Sequence, residues 1–244
     1  MKELIAKLAP DFEPEMVDAE TPEDAAFKTV ELVRLGKASA IMKGNVSTPV
    51  FMKAILNDDT GIKDSNVLSH ILGFDYKGQI RFLTDSGMVP VPTLEQKIEI
   101  IKSAAKIAWK FGYKPVKVGC YTAVEMINPK MKSSTDAAVL AKMSDKGQFG
   151  DDIIVDGPFG LDNIISEEAA KIKKIKKSFE GNADILLCPD VDSGNILGKS
   201  ILYYGNTRAG GIIVGAKCPV ILLSRADTKE VRIDSIKLAL AAAL

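Results

Sequence analysis

Cys218-Pro219-Val220-Ile221-Leu222-Leu223-Ser224-Arg225-Ala226-Asp227-Thr228-Lys229-Glu230 decides how this chain is read. Val220 to Leu223 is a continuous apolar run that predicts a buried strand, and the apolar periodicity from Val231 to Leu240 predicts a helix. A hydroxyl, a guanidinium and a carboxylate therefore fall between the carboxyl end of a strand and the amino end of a helix. Open α/β sheets bind ligands at such ends, and exposed N–H groups with the helix dipole favour an anion there. The same residues also read as plain helix signals, with Asp227 as N-cap, Glu230 closing a capping box and Arg225 solvated. Spacing alone leaves both readings open.

The rest of the chain alternates strand-like and helix-like runs, which predicts an α/β architecture with a largely parallel sheet. Thr21-Pro22-Glu23-Asp24 opens a helix to about Gly36, because Thr21 can cap, Pro22 suits the first turn and acids favour it. Ala38 to Met42 reads as a short strand, followed by a turn at Lys43–Pro49 into a helix through Leu56. Val67 to Phe74 and Gln79 to Leu83 read as an antiparallel hairpin through Tyr76-Lys77-Gly78. A long helix from Thr93 to Phe111, a strand from Val116 to Tyr121 and a helix from Ser134 to Met143 follow. Then come a strand from Asp152 to Val155, a helix from Asp162 to Ile175, a strand from Ala183 to Leu187, a helix from Ser193 to Tyr204 and a strand from Ile212 to Val214. The chain opens with helix-like Glu3 to Leu8, with no strand ahead of the Thr21 helix.

With 244 residues, 46% of them hydrophobic, the chain can bury a sizeable core. Lys+Arg and Asp+Glu are equal at 32 each, so no global field attracts nucleic acid or an anionic membrane, and any anion site is local. Cys120, Cys188 and Cys218 lie in or beside apolar runs without a CxxC pair, which predicts buried free thiols in a reducing compartment. No apolar segment is long enough to span a bilayer and Met1-Lys2-Glu3 lacks a signal peptide's apolar core, so a cytoplasmic location is expected. The single histidine, His70, excludes a multi-histidine metal site.

Four segments share one logic, in which a strand ends, small and polar residues follow, and a helix begins. They are Met42-Lys43-Gly44-Asn45-Val46-Ser47-Thr48-Pro49, Val155-Asp156-Gly157-Pro158-Phe159-Gly160-Leu161-Asp162-Asn163, Cys188-Pro189-Asp190-Val191-Asp192-Ser193-Gly194-Asn195, and Leu223-Ser224-Arg225-Ala226-Asp227. Glycines let a backbone approach a ligand closely, while Asn, Ser and Arg supply donors. Read with Asn128-Pro129-Lys130-Met131, Asp136-Ala137-Ala138 and Gly181-Asn182-Ala183-Asp184-Ile185-Leu186-Leu187, they resemble the phosphate acetyl/butyryltransferase family, nearest to its butyryl branch, from about Thr29 onward.

That resemblance implies two αβα lobes around a cleft, the isopropylmalate-dehydrogenase-like architecture, and transfer of an acyl group between coenzyme A and phosphate. It implies no tightly bound cofactor, with coenzyme A or acyl-CoA as substrate. Ser224 and Arg225 match the family's Ser-Arg pair, where the arginine holds the transferred phosphate and the serine lies beside the reacting carbonyl. Lys53 falls where acetyl-specific relatives carry an arginine facing the cleft, Gly194 and Asn195 match a Gly-Asn turn, and Asp156 sits in an Asp-Gly turn. Lys43, Gly44, Asn45, Ser47 and Thr48 make the first binding loop. The acetyl-specific enzymes carry an aspartate as thiol base on the helix after Ser-Arg. Val231 aligns there, with Asp227 and Glu230 nearby, so the base is not fixed. Members of the family also carry a further N-terminal strand and helix, and against them this chain reads as shortened.

Plainer readings stand beside these roles. His70 reads as a satisfied, partly buried side chain and secondarily as a substrate donor; Asp136 as a first-turn helix acid; Ser47 and Thr48 as caps; Trp109 and Phe111 as core packing. The Lys171, Lys173, Lys174, Lys176, Lys177 cluster reads as a solvated helix face. The expected architecture puts residues 1–66 and 210–244 in the first lobe and 67–209 in the second, so that the Lys43 and Ser224 loops meet. A lobe without its first strand exposes a sheet edge, from which a homodimer or larger homo-oligomer is expected. The rivals are a non-catalytic binder of coenzyme A or phosphate, and an NAD- and metal-dependent dehydrogenase of the same fold, which needs a cluster of acidic ligands.

Overall fold

The computed structural model describes residues 11, 13–224 and 226–243. The helix expected over Glu3 to Leu8 and the side chain of Arg225 lie outside them. In chain order the elements are α1 (Pro22–Arg34), β1 (Ile41–Met42), α2 (Thr48–Ile55), β2 (Ser69–Tyr76), β3 (Gln79–Thr84), α3 (Leu94–Lys110), β4 (Val116–Tyr121) and α4 (Lys132–Asp145). They continue as β5 (Ile153–Phe159), α5 (Leu161–Ile165), α6 (Glu167–Ile172), β6 (Ile185–Leu187), α7 (Val191–Tyr203), β7 (Ala209–Val214), β8 (Val220–Ile221) and α8 (Lys229–Ala243).

Local signals account for most boundaries. Thr21 caps α1 by accepting the Asp24 N–H, and Thr93 with Gln96 forms a full capping box on α3. The β2–β3 hairpin turns through Lys77 and Gly78, both at positive φ, which matches the right-handed twist of the flanking strands. The single helix expected from Asp162 to Ile175 is two helices. Ser166 ends α5 in an extended conformation and restarts α6 by accepting the Ala169 N–H, because a serine bonds the backbone more readily as a cap than inside a helix. The cap expected at Asp227 belongs to Thr228, whose hydroxyl accepts the Val231 N–H at 3.4 Å.

All the strands join one sheet, in the order β1-β8-β7-β2-β3-β6-β4-β5. The expectation of a largely parallel sheet is corrected. The outer pairs β1/β8, β3/β6, β6/β4 and β4/β5 are parallel, but β8/β7, β7/β2 and β2/β3 are antiparallel. The hairpin and the return of the chain through β7 account for this middle section. β8 pairs with β7 only at Ile213↔Val220. Past that point α8 lies against the β7 edge, and the Ser235 hydroxyl accepts the Gly211 N–H at 2.9 Å. A buried N–H that leaves a ladder needs such a partner.

The principal apolar core packs α3, α4 and α8 onto the sheet around Ile71, Phe82, Ile101, Val118 and Ile212. A second gathers α1, α2 and β1 around Phe51, Ile55 and Val220, and a third joins β2, β3 and β6 around Leu72, Leu83 and Leu186. Phe111 packs edge-on to Phe82, as expected. Trp109, expected in the core, is 39% exposed, because it falls on the outer face of α3. Cys120, Cys188 and Cys218 are buried and free. Among the described residues no helix is long and apolar enough to cross a membrane. The basic cluster is not simply solvated: Lys173 pairs with Glu125 and Asp162, and Lys177 donates to the Asn163 carbonyl.

One buried ion pair ties α3 to α4. Lys97, 3% exposed, donates to Asp136 at 2.8 Å, and Lys132 binds the same carboxylate oxygen. Burial pushes the Asp136 pKa up, but the Lys132 and Lys97 ammonium groups outweigh it and hold the carboxyl below its ordinary value. Asp136→Asn leaves the Lys97 ammonium buried without a counter-charge and should cost about 3 kcal/mol, read as a lower urea midpoint at unchanged slope. Because the folded pKa is lowered, this stabilisation is complete above about pH 4 and lost as pH falls through the folded value. The double replacement Lys97→Met with Asp136→Leu should recover most of the loss at neutral pH.

Candidate active site

A cavity of about 290 Å³ opens over the middle of the sheet. β2 and β7 floor it with His70, Leu72, Gly211 and Ile213; the β3–α3 turn contributes Ser86, Gly87 and Met88; α7 contributes Asn195, Lys199 and Leu202. The Ser224 loop and the start of α8 close it with Leu222, Ser224, Asp227 and Val231, and Thr48 reaches it from α2. The loops after β1 and β8 are neighbours, because the two strands pair in parallel and the Lys43 N–H donates to the Ile221 carbonyl at 3.0 Å.

The sequence-predicted residues divide. Thr48, Asn195, Ser224 and Asp227 line the cavity together, although they come from three separate stretches of the chain: the start of α2, the first turn of α7 and the loop before α8. Ser47 caps α2 through Val50 at 3.4 Å. The Lys43 ammonium closes its own loop on the Val46 carbonyl at 3.0 Å, while Gly44 and Asn45 line a separate depression beside Thr21 and Pro22. Lys53 and Glu230 are exposed and outside the cavity wall. Asp156 lies in β5 at the far edge of the sheet, where it accepts the Gly157 and Ser178 N–H groups at 2.8 and 2.6 Å. The structure thus gives Asp156 a turn-holding part, with no share in the cavity.

Ser224 and Asp227 build their own turn. Asp227 Oδ2 accepts the Ser224 N–H at 2.6 Å, and the Ser224 carbonyl accepts the Asp227 N–H at 3.2 Å. Gly194 is a packing residue. A Cβ there would stand 2.5 Å from the Asp85 carbonyl oxygen and 2.8 Å from Cys188 Sγ, so only glycine lets α7 approach the β3–α3 turn. That contact presents Asn195, whose amide donates to the Ser86 carbonyl at 3.4 Å.

Sequence reasoning missed the residue that holds this turn. Asp85, 3% exposed, accepts the N–H groups of His70, Gly87 and Met88 on Oδ1 at 2.9, 3.0 and 3.1 Å, and that of Val89 on Oδ2 at 2.7 Å. Thr84-Asp85-Ser86-Gly87 is a strand end followed by turn residues, the same signal as in the four recognised loops, and it was there to be found. Ser86, 5% exposed, lies 2.7 Å through its hydroxyl from His70 Nδ1. Burial is the largest influence on His70 and lowers its pKa; Asp85 and Asp227 oppose it, and Lys199 adds to it. The imidazole is therefore neutral near pH 7.

Among the described residues, no three His, Cys, Asp or Glu side chains converge in a way that could hold a metal ion. What the cavity offers is a small apolar volume (Leu72, Leu202, Leu222, Val231) bordered by hydroxyls, an amide, an imidazole, the Asp227 carboxylate and one ammonium group. That composition suits a short aliphatic group attached to a polar one. Asp85→Asn keeps the size but replaces one acceptor with a donor facing Val89. It should cost about 1–3 kcal/mol, lower the thermal midpoint and speed amide exchange at Gly87, Met88 and Val89.

A family model described as Phosphate acetyl/butaryl transferase matches residues 3–241. Over 227 residues, 92% of this chain and 75% of the relative, the sequence is 42% identical to a phosphate butyryltransferase of Clostridium acetobutylicum. It is 44% identical to a probable phosphate butyryltransferase of Bacillus subtilis, over 93% of this chain and 77% of the relative. The fold superimposes on a branched-chain phosphotransacylase from Enterococcus faecalis with a TM-score of 0.85 and 32% identity, covering 99% of this chain and 92% of the other. Identity at this level across nearly the whole length leaves one assignment: the chain belongs to the phosphate acetyl/butyryl transferase family.

Proposed function

We propose that this protein moves a short-chain acyl group, butyryl-like, between coenzyme A and inorganic phosphate, with no tightly bound cofactor. The observation that carries the reading is the single cavity in which Ser224, Asp227, Asn195 and Thr48 border an apolar wall of Leu72, Leu202, Leu222 and Val231. The apolar wall accommodates the acyl chain, and the polar border meets the phosphate and the reacting carbonyl.

In the coenzyme A-consuming direction the thiol, with an ordinary pKa of ~8.5, loses its proton, and the thiolate attacks the acyl-phosphate carbonyl. The sulfur–carbon bond forms, the carbon–oxygen bond to phosphate breaks, and phosphate leaves with the electron pair. We assign Arg225, which precedes α8 in the sequence, to the departing phosphate, since a guanidinium can hold a phosphate bidentately. Ser224 stands beside the carbonyl. A preorganised donor of this kind is worth roughly 3–4 kcal/mol in the transition state. Lys43, Lys53 and the Gly44–Asn45 loop stay as candidate contacts for the more distant parts of coenzyme A.

We further propose that residues 1–66 with 210–244 act as one lobe and 67–209 as the other. Self-association follows from the edge position of the short strand β1. Light scattering should give a mass at least twice 26.3 kDa; a constant monomer mass over a wide concentration range overturns it. Three buried, free thiols fit a cytoplasmic setting.

Thiol release from several acyl-CoAs, followed with and without phosphate, tests the activity. Phosphate-dependent release is expected, with short aliphatic chains preferred. Thermal stabilisation by coenzyme A without turnover would mark a binding protein, and NAD-dependent oxidation of a hydroxy acid would mark the dehydrogenase rival. Arg225→Lys should keep the fold, raise the KM for phosphate and lower kcat roughly tenfold or more, since lysine cannot reproduce the fork. Affinity for coenzyme A should change little, and Ser224→Ala should be the milder variant.

A further inference from the structure

We propose that His70 is the base that takes the thiol proton of coenzyme A, with Ser86 as its positioning residue; the proposal rests on the acyl-transfer reading above. Val231, at the position aligned with the acetyl-specific enzymes' base, is an apolar part of the cavity wall. Asp227 lines the cavity but spends Oδ2 on the Ser224 N–H, and Glu230 is exposed outside the wall. The titratable groups that remain on the wall among the described residues are His70 and Lys199. A lysine ammonium has three donors and no lone pair, so it cannot accept the proton.

Geometry favours the imidazole. The Ser86 hydroxyl is its only hydrogen-bond partner among the described residues, at Nδ1 and 2.7 Å. With Nδ1–H donating to Ser86 Oγ, Nε2 keeps its lone pair. Glycine at 211 lets β7 pass close beneath that edge of the ring, since a Cβ there would stand 2.5 Å from Nε2 and 3.0 Å from Cε1, and His70 and Gly211 both line the cavity. Ser86 is itself fixed, since the Asp85 carboxylate gathers the turn around it and Asn195 donates to its carbonyl. The His70 N–H is bound to the same Asp85 carboxylate, so acid, turn and ring form one unit.

The step balances. The S–H proton passes to Nε2, the thiolate adds to the carbonyl carbon, and the phosphate departs with the electron pair of the broken C–O bond. The imidazolium then returns its proton to the phosphate or to water, and in reverse it protonates the departing thiolate. The charged groups bearing on the ring are Asp85 from the β3–α3 turn, Asp227 from the loop before α8 and Lys199 from α7. The two carboxylates stabilise the imidazolium as it forms.

Because His70 is the only histidine, its imidazole nitrogens give unambiguous NMR signals. Expected are a neutral Nδ1–H tautomer and a pKa below 6.5; a neutral Nε2–H tautomer or a cation at pH 7 overturns the proposal. His70→Asn keeps a donor toward Ser86 and removes the base. It should lower kcat with coenzyme A and acyl phosphate roughly 10²–10⁴-fold while leaving the KM for acyl phosphate near its original value. The acid limb of the pH profile set by the imidazole should vanish, leaving a rate that rises toward the thiol's own pKa of ~8.5. Ser86→Ala should be milder and shift that limb. Unchanged turnover and an unchanged acid limb in His70→Asn overturn this proposal alone. A wild-type protein without phosphate-dependent turnover overturns the functional reading, and this proposal with it.

Discussion

One buried carboxylate holds the site together. Asp85 is 3% exposed, and removing such a charge from water costs several kcal/mol. Four backbone N–H groups, from His70, Gly87, Met88 and Val89, offset that cost with bonds of 2.7–3.1 Å. The first of these donors belongs to a central strand and the other three to a turn, so the turn is fastened to the sheet and not merely to itself. Everything on that wall inherits its place from this: the Ser86 hydroxyl, the close packing of Gly87 on the His70 side chain and the seat into which Gly194 brings α7. The Cys188 N–H, donating to the Thr84 carbonyl, carries the constraint on to β6.

A second constraint makes the room. β7 and β8 pair at one position, so the sheet is continuous there but thin. The ladder bond that Gly211 would make is replaced by the Ser235 hydroxyl, which keeps α8 against the strand and its first turn beside the cavity. Had β8 continued alongside β7, the Ser224 loop would have left the sheet two or three residues later, farther from His70 and Ser86. A short strand is here a positioning device: it releases a chain carrying Ser224 and Asp227 at the level where β2 presents His70 and Leu72.

Most elements were legible because their signals are local. Thr93 with Gln96, Thr21 with Pro22, and Lys77-Gly78 state their caps and turn in adjacent residues, and the alternation of apolar runs gives the strands their order. The direction of the middle strands was not legible, because pairing between residues 69–76 and 209–214 is set by contacts more than a hundred residues apart. The split at Ser166 was missed because apolar spacing continues across it, whereas the choice between helix interior and cap depends on what its hydroxyl meets. For the site, the Ser224 loop, Thr48 and Asn195 could be gathered from glycine and hydroxyl patterns. Asp156 carries the same pattern and stands elsewhere, since a capped strand–helix turn looks alike with or without a ligand, and Lys53, taken from the resemblance, lies outside the cavity wall. The turn around Asp85 was legible from Thr84-Asp85-Ser86-Gly87, but its part in fastening that turn to β2 was not, because its four partners are main-chain groups.

The electrostatics of the interior also bear on which thiol reacts. Burial pushes Cys120 and Cys188 up to about 12 and Cys218 up to about 11. Cys188 lies just beneath α7, close enough that a Cβ on Gly194 would touch its sulfur, yet it stays protonated at any physiological pH. A thiolate is the nucleophile and a thiol is not. An entering thiol with an ordinary pKa of ~8.5 is therefore easier to ionise than Cys120 or Cys188. An acyl phosphate in this cavity consequently meets one competent sulfur, that of its co-substrate. The same low-dielectric surroundings that silence the protein's thiols keep the imidazole of His70 neutral. Burial, the largest influence on each and of opposite sign on acids and bases, thus leaves the cysteines inert and the histidine able to accept a proton.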